Sequence, residues 1–386
     1  MPIQLILLIL VTFVAASDVV YSDTPPTSEK VRDYSLPPTY HVKAASLYHA
    51  GFQIGTLAAS QINQWFQLDE FKATYAFAHN QGAAAFAAFK ADNTQAFPEL
   101  IREMQGMADG AKVTLDKIWV SNLIPELESL MPANTKTDHC TDIFSHDTSG
   151  NFIQGHNEDW SEAVKPLWYF VRLSPLAGAN FTACAGMAYP GTILGYAATW
   201  SKYMYSTQNT LFPRTTKTNG LACTFVQRRA TCGIGLSETT TLAQSIARLD
   251  TGGWAASASI NLVSLTEGGM SNVEAYENGF DAMHVAMNYS HMNMFKHLPS
   301  GEKADAGDAS TEHRQKRVFS LPVPRTVNEV AKVLGDTEGQ QDGYPIYRTI
   351  TLATLIVSEK TKELMVWVDA NPSTDVPQLV WNLTSW

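Results

Sequence analysis

The sequence predicts an α+β layered architecture in which sheets are covered by helices. Three observations lead there. Apolar residues in the first third recur at helical spacing, strand-like runs begin at Cys140, and short helical patterns fall between the later strands. No linker, shift in composition or internal repeat separates these regions, so a single domain is expected.

Taken in order, the chain opens with an apolar run from Ile6 to Ala16 that ends in small residues and then polar Ser17 and Asp18. The run is too short to span a bilayer and has the small side chains that signal peptidase accepts, so residues 1–16 read as a signal peptide. The rest is then expected to be secreted or lumenal (lysosome-like or extracellular), with no membrane contact once the signal is removed. Ile54, Leu57, Ala58, Ile62, Trp65 and Phe66 mark an amphipathic helix. Pro98 opens a second helical pattern through Leu100, Ile101, Met104, Met107, Ala108 and Ala111, weakened near its end by Asp109-Gly110.

From Cys140 the pattern alternates. Cys140–His146, a turn at Asp147–Gly150, and Asn151–Asn157 have the signature of a β-hairpin. Pairing about a turn centred near 148–149 sets residue 157 opposite residue 140. Asp159 then lies just past the end of the second strand, within reach of Cys140. Further strands are expected at 167–173, 180–187, 256–265, 348–358 and 363–369, and helices at 221–229, 240–249 and 327–334. Residues 298–311, rich in Gly and Asp, read as a surface loop.

Composition narrows the function. Hydrophobic residues make up 45% and charged residues 17% of 386, enough for a sizeable core, and a net charge of −10 would repel phosphate backbones. Nucleic acid is therefore excluded as a partner. Sequons at Asn180, Asn288 and Asn382 fit a secretory route. The four cysteines, at 140, 184, 223 and 232, form no CxxC pair, so disulfides are not expected to organise the fold; Cys223 and Cys232, about 13 Å apart on a helix, are too distant to bridge. There is no GxSxG, P-loop, GxGxxG or HExxH. His284, His291 and His297 match no metal spacing, so neither a metal nor a cofactor is expected.

The stretch Asp138-His-Cys-Thr-Asp142, followed by Gly150-Asn-Phe-Ile-Gln-Gly-His-Asn-Glu-Asp-Trp160, resembles the nucleophile hairpin of the penicillin acyltransferase-like family. That family holds isopenicillin-N acyltransferases and β-alanyl-dopamine hydrolases. His49–Gly55 and Glu103–Gly110, with the following Asn122 and Glu126, resemble its upstream segments, and the resemblance covers most of residues 40 to 370. It implies a four-layer αββα N-terminal-nucleophile hydrolase. Such a chain cuts itself before its cysteine, here between His139 and Cys140, leaving residues 17–139 and 140–386 as two chains of one precursor associated as a heterodimer. Without the resemblance, Cys140 and Asp159 would read as a buried strand cysteine followed by an acidic turn.

The resemblance further implies site residues. Cys140 is the nucleophile, activated by its own freed α-amine, whose pKa of about 8 nearly matches that of a thiol. Asp159 holds that amine. Asn209, in Ser206–Leu211, donates to the oxyanion. In Ser310–Arg317, Arg314 lies near the acyl site, with Arg317 in reserve. Asn288 falls in an asparagine-histidine segment and lines the site, which leaves Asn180 and Asn382 as the glycosylated sequons. At position 142 the acyltransferases have a small hydroxyl residue, and Asp142 would favour an amine-bearing acyl group such as β-alanyl. The expected activity is hydrolysis of a small N-acyl amide through a thioester. An acyltransferase using the same residues is the alternative, and a secreted binding protein with a decayed site is a third reading.

Overall fold

The computed structural model describes residues 36–131, 140–213, 215–298 and 309–385. The signal segment, His139 and most of the expected 298–311 loop lie outside them.

Strand β1 (Thr39–Ala44) leads into a run of helices: α1 (Leu47–Leu57), α2 (Ala59–Trp65), α3 (Asp69–His79), α4 (Ala83–Ala96), α5 (Pro98–Ala111), α6 (Leu115–Asn122) and α7 (Ile124–Leu130). Then come β2 (Thr141–His146), β3 (Phe152–Asp159), β4 (Tyr169–Pro175), β5 (Cys184–Ala188), β6 (Thr199–Trp200) and β7 (Met204–Leu211). After α8 (Cys223–Cys232) and α9 (Leu242–Leu249) the chain returns to strands β8 (Ser257–Ser264), β9 (Met270–Tyr276), β10 (Gly279–His284) and β11 (Tyr289–His291). Helices α10 (Ala309–Ser320) and α11 (Val327–Leu334) precede β12 (Thr351–Ser358), β13 (Glu363–Val368) and β14 (Leu379–Asn382).

Among the described residues the strands form two sheets. One runs β1-β4-β5-β6-β7-β8-β9-β10 and the other β11-β2-β3-β12-β13-β14. Period-two alternation gives the second sheet two different faces. Ile143, Ile153 and Ile356 point outward and pack on Val330 and Leu334 of α11. Phe144, Phe152, Leu355 and Val357 point inward to the large core shared with the first sheet. Side chains bridge the two sheets directly, among them Phe170 on β4 against Trp381 on β14, with centroids 4.4 Å apart. Helices α8 and α9 pack on β6–β9 of the first sheet. The expected αββα layering is therefore what the chain forms.

Three expectations are corrected. The Asp109-Gly110 pair does not weaken α5, because its glycines are packing surfaces: a Cβ on Gly106 would sit 2.0 Å from the Tyr48 carbonyl oxygen, and one on Gly110 2.2 Å from that of Phe52. Gly51 and Gly55 of α1 face α5 in the same way. Disulfides do contribute, since Cys184 at the start of β5 is bonded to Cys232 at the end of α8. As expected, Cys223 and Cys232 share a helix and do not pair with each other. The first amphipathic helix breaks at Ala58 into α1 and α2, and Leu57 is exposed instead of joining its stripe. Among the described residues, no helix is long and apolar enough to cross a membrane.

Candidate active site

The site is built on the β2–β3 hairpin. Its turn is closed by Asp147, whose carboxylate accepts from the amides of Ser149 (2.8 Å) and Asn151 (2.9 Å), and by Gly150 at φ 86°. Thr141 pairs with Asn157 and Asp142 with His156. The register is thus one residue from that expected, and Glu158, not Asn157, lies across from Cys140. The pleat then places Cys140, Asp142, Gln154, His156 and Glu158 on the inward face, and Thr141, Asn157 and Asp159 on the outward one.

All of the inward groups are buried, and they are linked in a chain. The Cys140 thiol donates to Glu158 Oε1 at 3.8 Å, and Tyr189 Oη donates to the same oxygen at 2.6 Å. His156 Nε2 lies 3.1 Å from Glu158 Oε2, and Nδ1 lies 2.9 Å from Asp142 Oδ2. Asp142 Oδ1 also accepts from Thr207 on β7 at 2.8 Å, so the chain ties one sheet to the other. Sγ of Cys140, a ring nitrogen of His156 and a carboxylate oxygen of Glu158 all lie within 4.8 Å of one another. Beyond Tyr189, Trp160 and Tyr196 complete an aromatic cluster, with Trp160 4.4 Å and Tyr196 5.5 Å from the Tyr189 ring.

Burial pushes the Cys140 thiol up to about 12, and the charge of Glu158 adds to this while His156 pulls the other way. At rest Cys140 is therefore a thiol. Burial opposes charge on His156 too, but Asp142, Cys140 and Glu158 together hold it well above its ordinary value, so the ring is an imidazolium.

The predicted residues divide. Asp159 is buried on the outward face, where its carboxylate accepts from Arg348 Nη2 at 2.7 Å and from Thr351 Oγ1 at 2.5 Å. Arg314 is completely buried, and its Nη1 donates to the Cys140 carbonyl and to Thr141 Oγ1, both at 2.8 Å. Arg317 instead pairs with Asp336 (2.7 Å) and Glu338 (2.8 Å). Asn209 is buried on β7, two residues from Thr207; its Oδ1 accepts from Asn261 at 2.8 Å, and its Nδ2 meets the His291 carbonyl at 3.5 Å.

The two residues expected to bind substrate lie apart. The Asp142 carboxylate is completely buried and engaged by His156, Gln154 and Thr207. Asn288 is exposed and precedes β11, in which Tyr289 pairs with Phe144 and His291 with Asp142. It accepts from the His146 amide at 3.4 Å, at the turn end of β2, about 17–20 Å from Cys140 at ~3.3 Å per strand residue. Its sequon is therefore as exposed as those of Asn180 and Asn382.

Sequence reasoning missed His156, Glu158 and Tyr189 as partners of the thiol. For the first two a signal existed: Gln154, His156 and Glu158 alternate, so one face of a central strand carries three polar groups in succession. Tyr189 comes from a loop after β5, and nothing local marks it.

No family model matches the chain, and no curated protein matches it. Among solved structures it is similar to a Caenorhabditis elegans N-acylethanolamine-hydrolyzing acid amidase (NAAA) ortholog, at 11% identity and a TM-score of 0.42, over 63% of this chain and 99% of that one.

Proposed function

We propose that the chain is a cysteine amidohydrolase that matures by cutting itself between His139 and Cys140 and then cleaves a small N-acyl amide. The observation that carries this reading is the position of Cys140. It stands directly ahead of β2, its thiol is buried in a polar chain, and its carbonyl is gripped by a buried arginine. A strand cysteine kept only for packing needs none of these partners.

Maturation would begin with Sγ attacking the His139 carbonyl, an N-to-S shift that forms an ester to sulfur and breaks the peptide bond to the Cys140 nitrogen. Water then hydrolyses that thioester and leaves a free α-amine on Cys140. In turnover the amine takes the thiol proton as Sγ attacks the substrate carbonyl. The His156 imidazolium stabilises the negative sulfur as it forms. Collapse of the tetrahedral intermediate expels the substrate amine, which carries the proton away. Water releases the acyl group from the thioester and restores the thiol. Asn209 is the proposed oxyanion donor, and Arg314 acts as a positioning residue that fixes the start of β2.

N-terminal sequencing and intact mass of the purified protein test the reading. The expected result is two associated chains, one beginning at Cys140, with Cys140→Ala remaining a single inactive chain. An active protein still continuous through residues 139–140 would overturn it.

A further inference from the structure

Three side chains at the nucleophile have a second chemistry that amide cleavage does not use. Thiolate, imidazole and carboxylate are the donor set of zinc, and the softer two of them disfavour magnesium and calcium. Their spacing also suits that ion. A tetrahedral zinc, with bonds of about 2.3 Å to sulfur and about 2.0–2.2 Å to nitrogen and oxygen, holds its ligand atoms roughly 3.3–3.6 Å apart. Here Cys140 Sγ is 3.8 Å from Glu158 Oε1, Glu158 Oε2 is 3.1 Å from His156 Nε2, and the three donors lie within 4.8 Å of one another.

The surroundings are arranged as zinc requires. Histidine ligands of zinc generally pass their other ring N–H to a carboxylate, which fixes the ring's orientation and leaves one nitrogen for the metal. Asp142 does this from behind, 2.9 Å from Nδ1, and is itself held by Thr207. The hairpin register brings the set together, with Cys140 opposite Glu158 and Asp142 opposite His156, so no CxxC or HExxH spacing announces it.

We propose that Cys140, His156 and Glu158 form a zinc site that shuts the nucleophile, with Asp142 as the carboxylate behind the histidine ligand. Binding sends the thiol proton and the Nε2 proton to solvent. While zinc is bound the sulfur's negative charge is shared with the metal, which lowers its nucleophilicity and fixes its position, and loss of the metal frees it. Zinc binding needs only the three side chains, whereas the shutting of a nucleophile rests on the proposed amidohydrolase reading.

Cobalt(II) chloride is the probe, because cobalt takes such sites and shows thiolate ligation as a near-ultraviolet charge-transfer band. The purified full-length protein, stripped of metal by a chelator, is titrated with cobalt and then with zinc chloride. One cobalt per chain is expected, with the band present and displaced by one equivalent of zinc. Cys140→Ser should abolish the band. Glu158→Gln should weaken binding more than 10-fold, and Asp142→Asn, which keeps all three ligands, about 10–100-fold. Absence of the band in the wild type, or equal affinity in the wild type and the Glu158→Gln variant, overturns the proposal. Should Glu158→Gln misfold, the wild-type band and its displacement by zinc decide alone.

Discussion

Asn209→Ala removes the carboxamide without touching the hairpin, and it should lower turnover about 10²-fold or more, at a cost in stability of about 1–3 kcal/mol because the buried Asn261 amide and His291 carbonyl each lose a partner. Turnover within a few-fold of wild type would place the oxyanion donor elsewhere. Asp159→Asn should behave differently. The carboxylate is a buried partner of Arg348, and breaking that ion pair from one side costs about 3–5 kcal/mol. Urea unfolding of this variant should show that loss together with impaired maturation; full stability would mean that the ion pair is dispensable. Cys140 and Asp159 were singled out from the pattern of the hairpin, and Arg314 from the Ser310–Arg317 stretch. Their roles were less legible. Asp142 was read as facing substrate because it replaces the small hydroxyl residue of the acyltransferases, and sequence does not show which face of a strand is lined by a second sheet.

At the scale of elements, the α1–α5 contact makes the sharpest demand. Gly51 and Gly106 are places where one helix backbone rests on the other, with a Cβ on Gly51 falling 1.8 Å from the Glu103 carbonyl oxygen. No side-chain rotation relieves a clash with backbone, so Gly51→Ala or Gly106→Ala should force the helices apart and cost about 3 kcal/mol or more. Gly150→Ala, in open space, should cost only about 1–2 kcal/mol through its positive φ. Equal melting temperatures for Gly51→Ala and Gly150→Ala would contradict this packing. The same glycines explain one failure of sequence reasoning: glycine in a helix reads as weakness until a partner helix is known. Long amphipathic and alternating segments such as α11, β12 and β13 were legible. Others were not, among them the two-residue β6, whose identity comes from the strands beside it.

For the whole molecule, buried carboxyls set how stability varies with pH. Glu126 is completely buried, and burial raises its carboxyl from 4.5 to about 7, although the Cys223 amide hydrogen bond pulls it down. Glu103 is raised by burial as well, with Arg228 opposing. The sign follows from proton binding. Between pH 4.5 and about 7 the folded chain keeps a proton on Glu126 that the unfolded chain has released, so this contribution is complete below 4.5 and lost as pH rises through 7. It amounts to about 3 kcal/mol, taking ~1.4 kcal/mol per pKa unit. Glu126→Gln should therefore match wild type near pH 4 and gain about 3 kcal/mol on it by pH 8 in urea melts; a pH-independent difference would show that the carboxyl is not protonated in the fold.

Strand β1 lies at the edge of the eight-stranded sheet, parallel to β4, and so sets residues from before position 131 into a sheet made otherwise from residues after position 140. Buried bonds reinforce that seam: Asn93 with Gly220 and Ala222, Asn122 with Gly191 and Ile193, and Glu126 with Cys223. Covalent continuity between the two stretches is therefore expected to be dispensable for their cohesion. Co-expressed as separate polypeptides, 36–131 and 140–386 should complement each other and co-elute on gel filtration, coming apart only in denaturant.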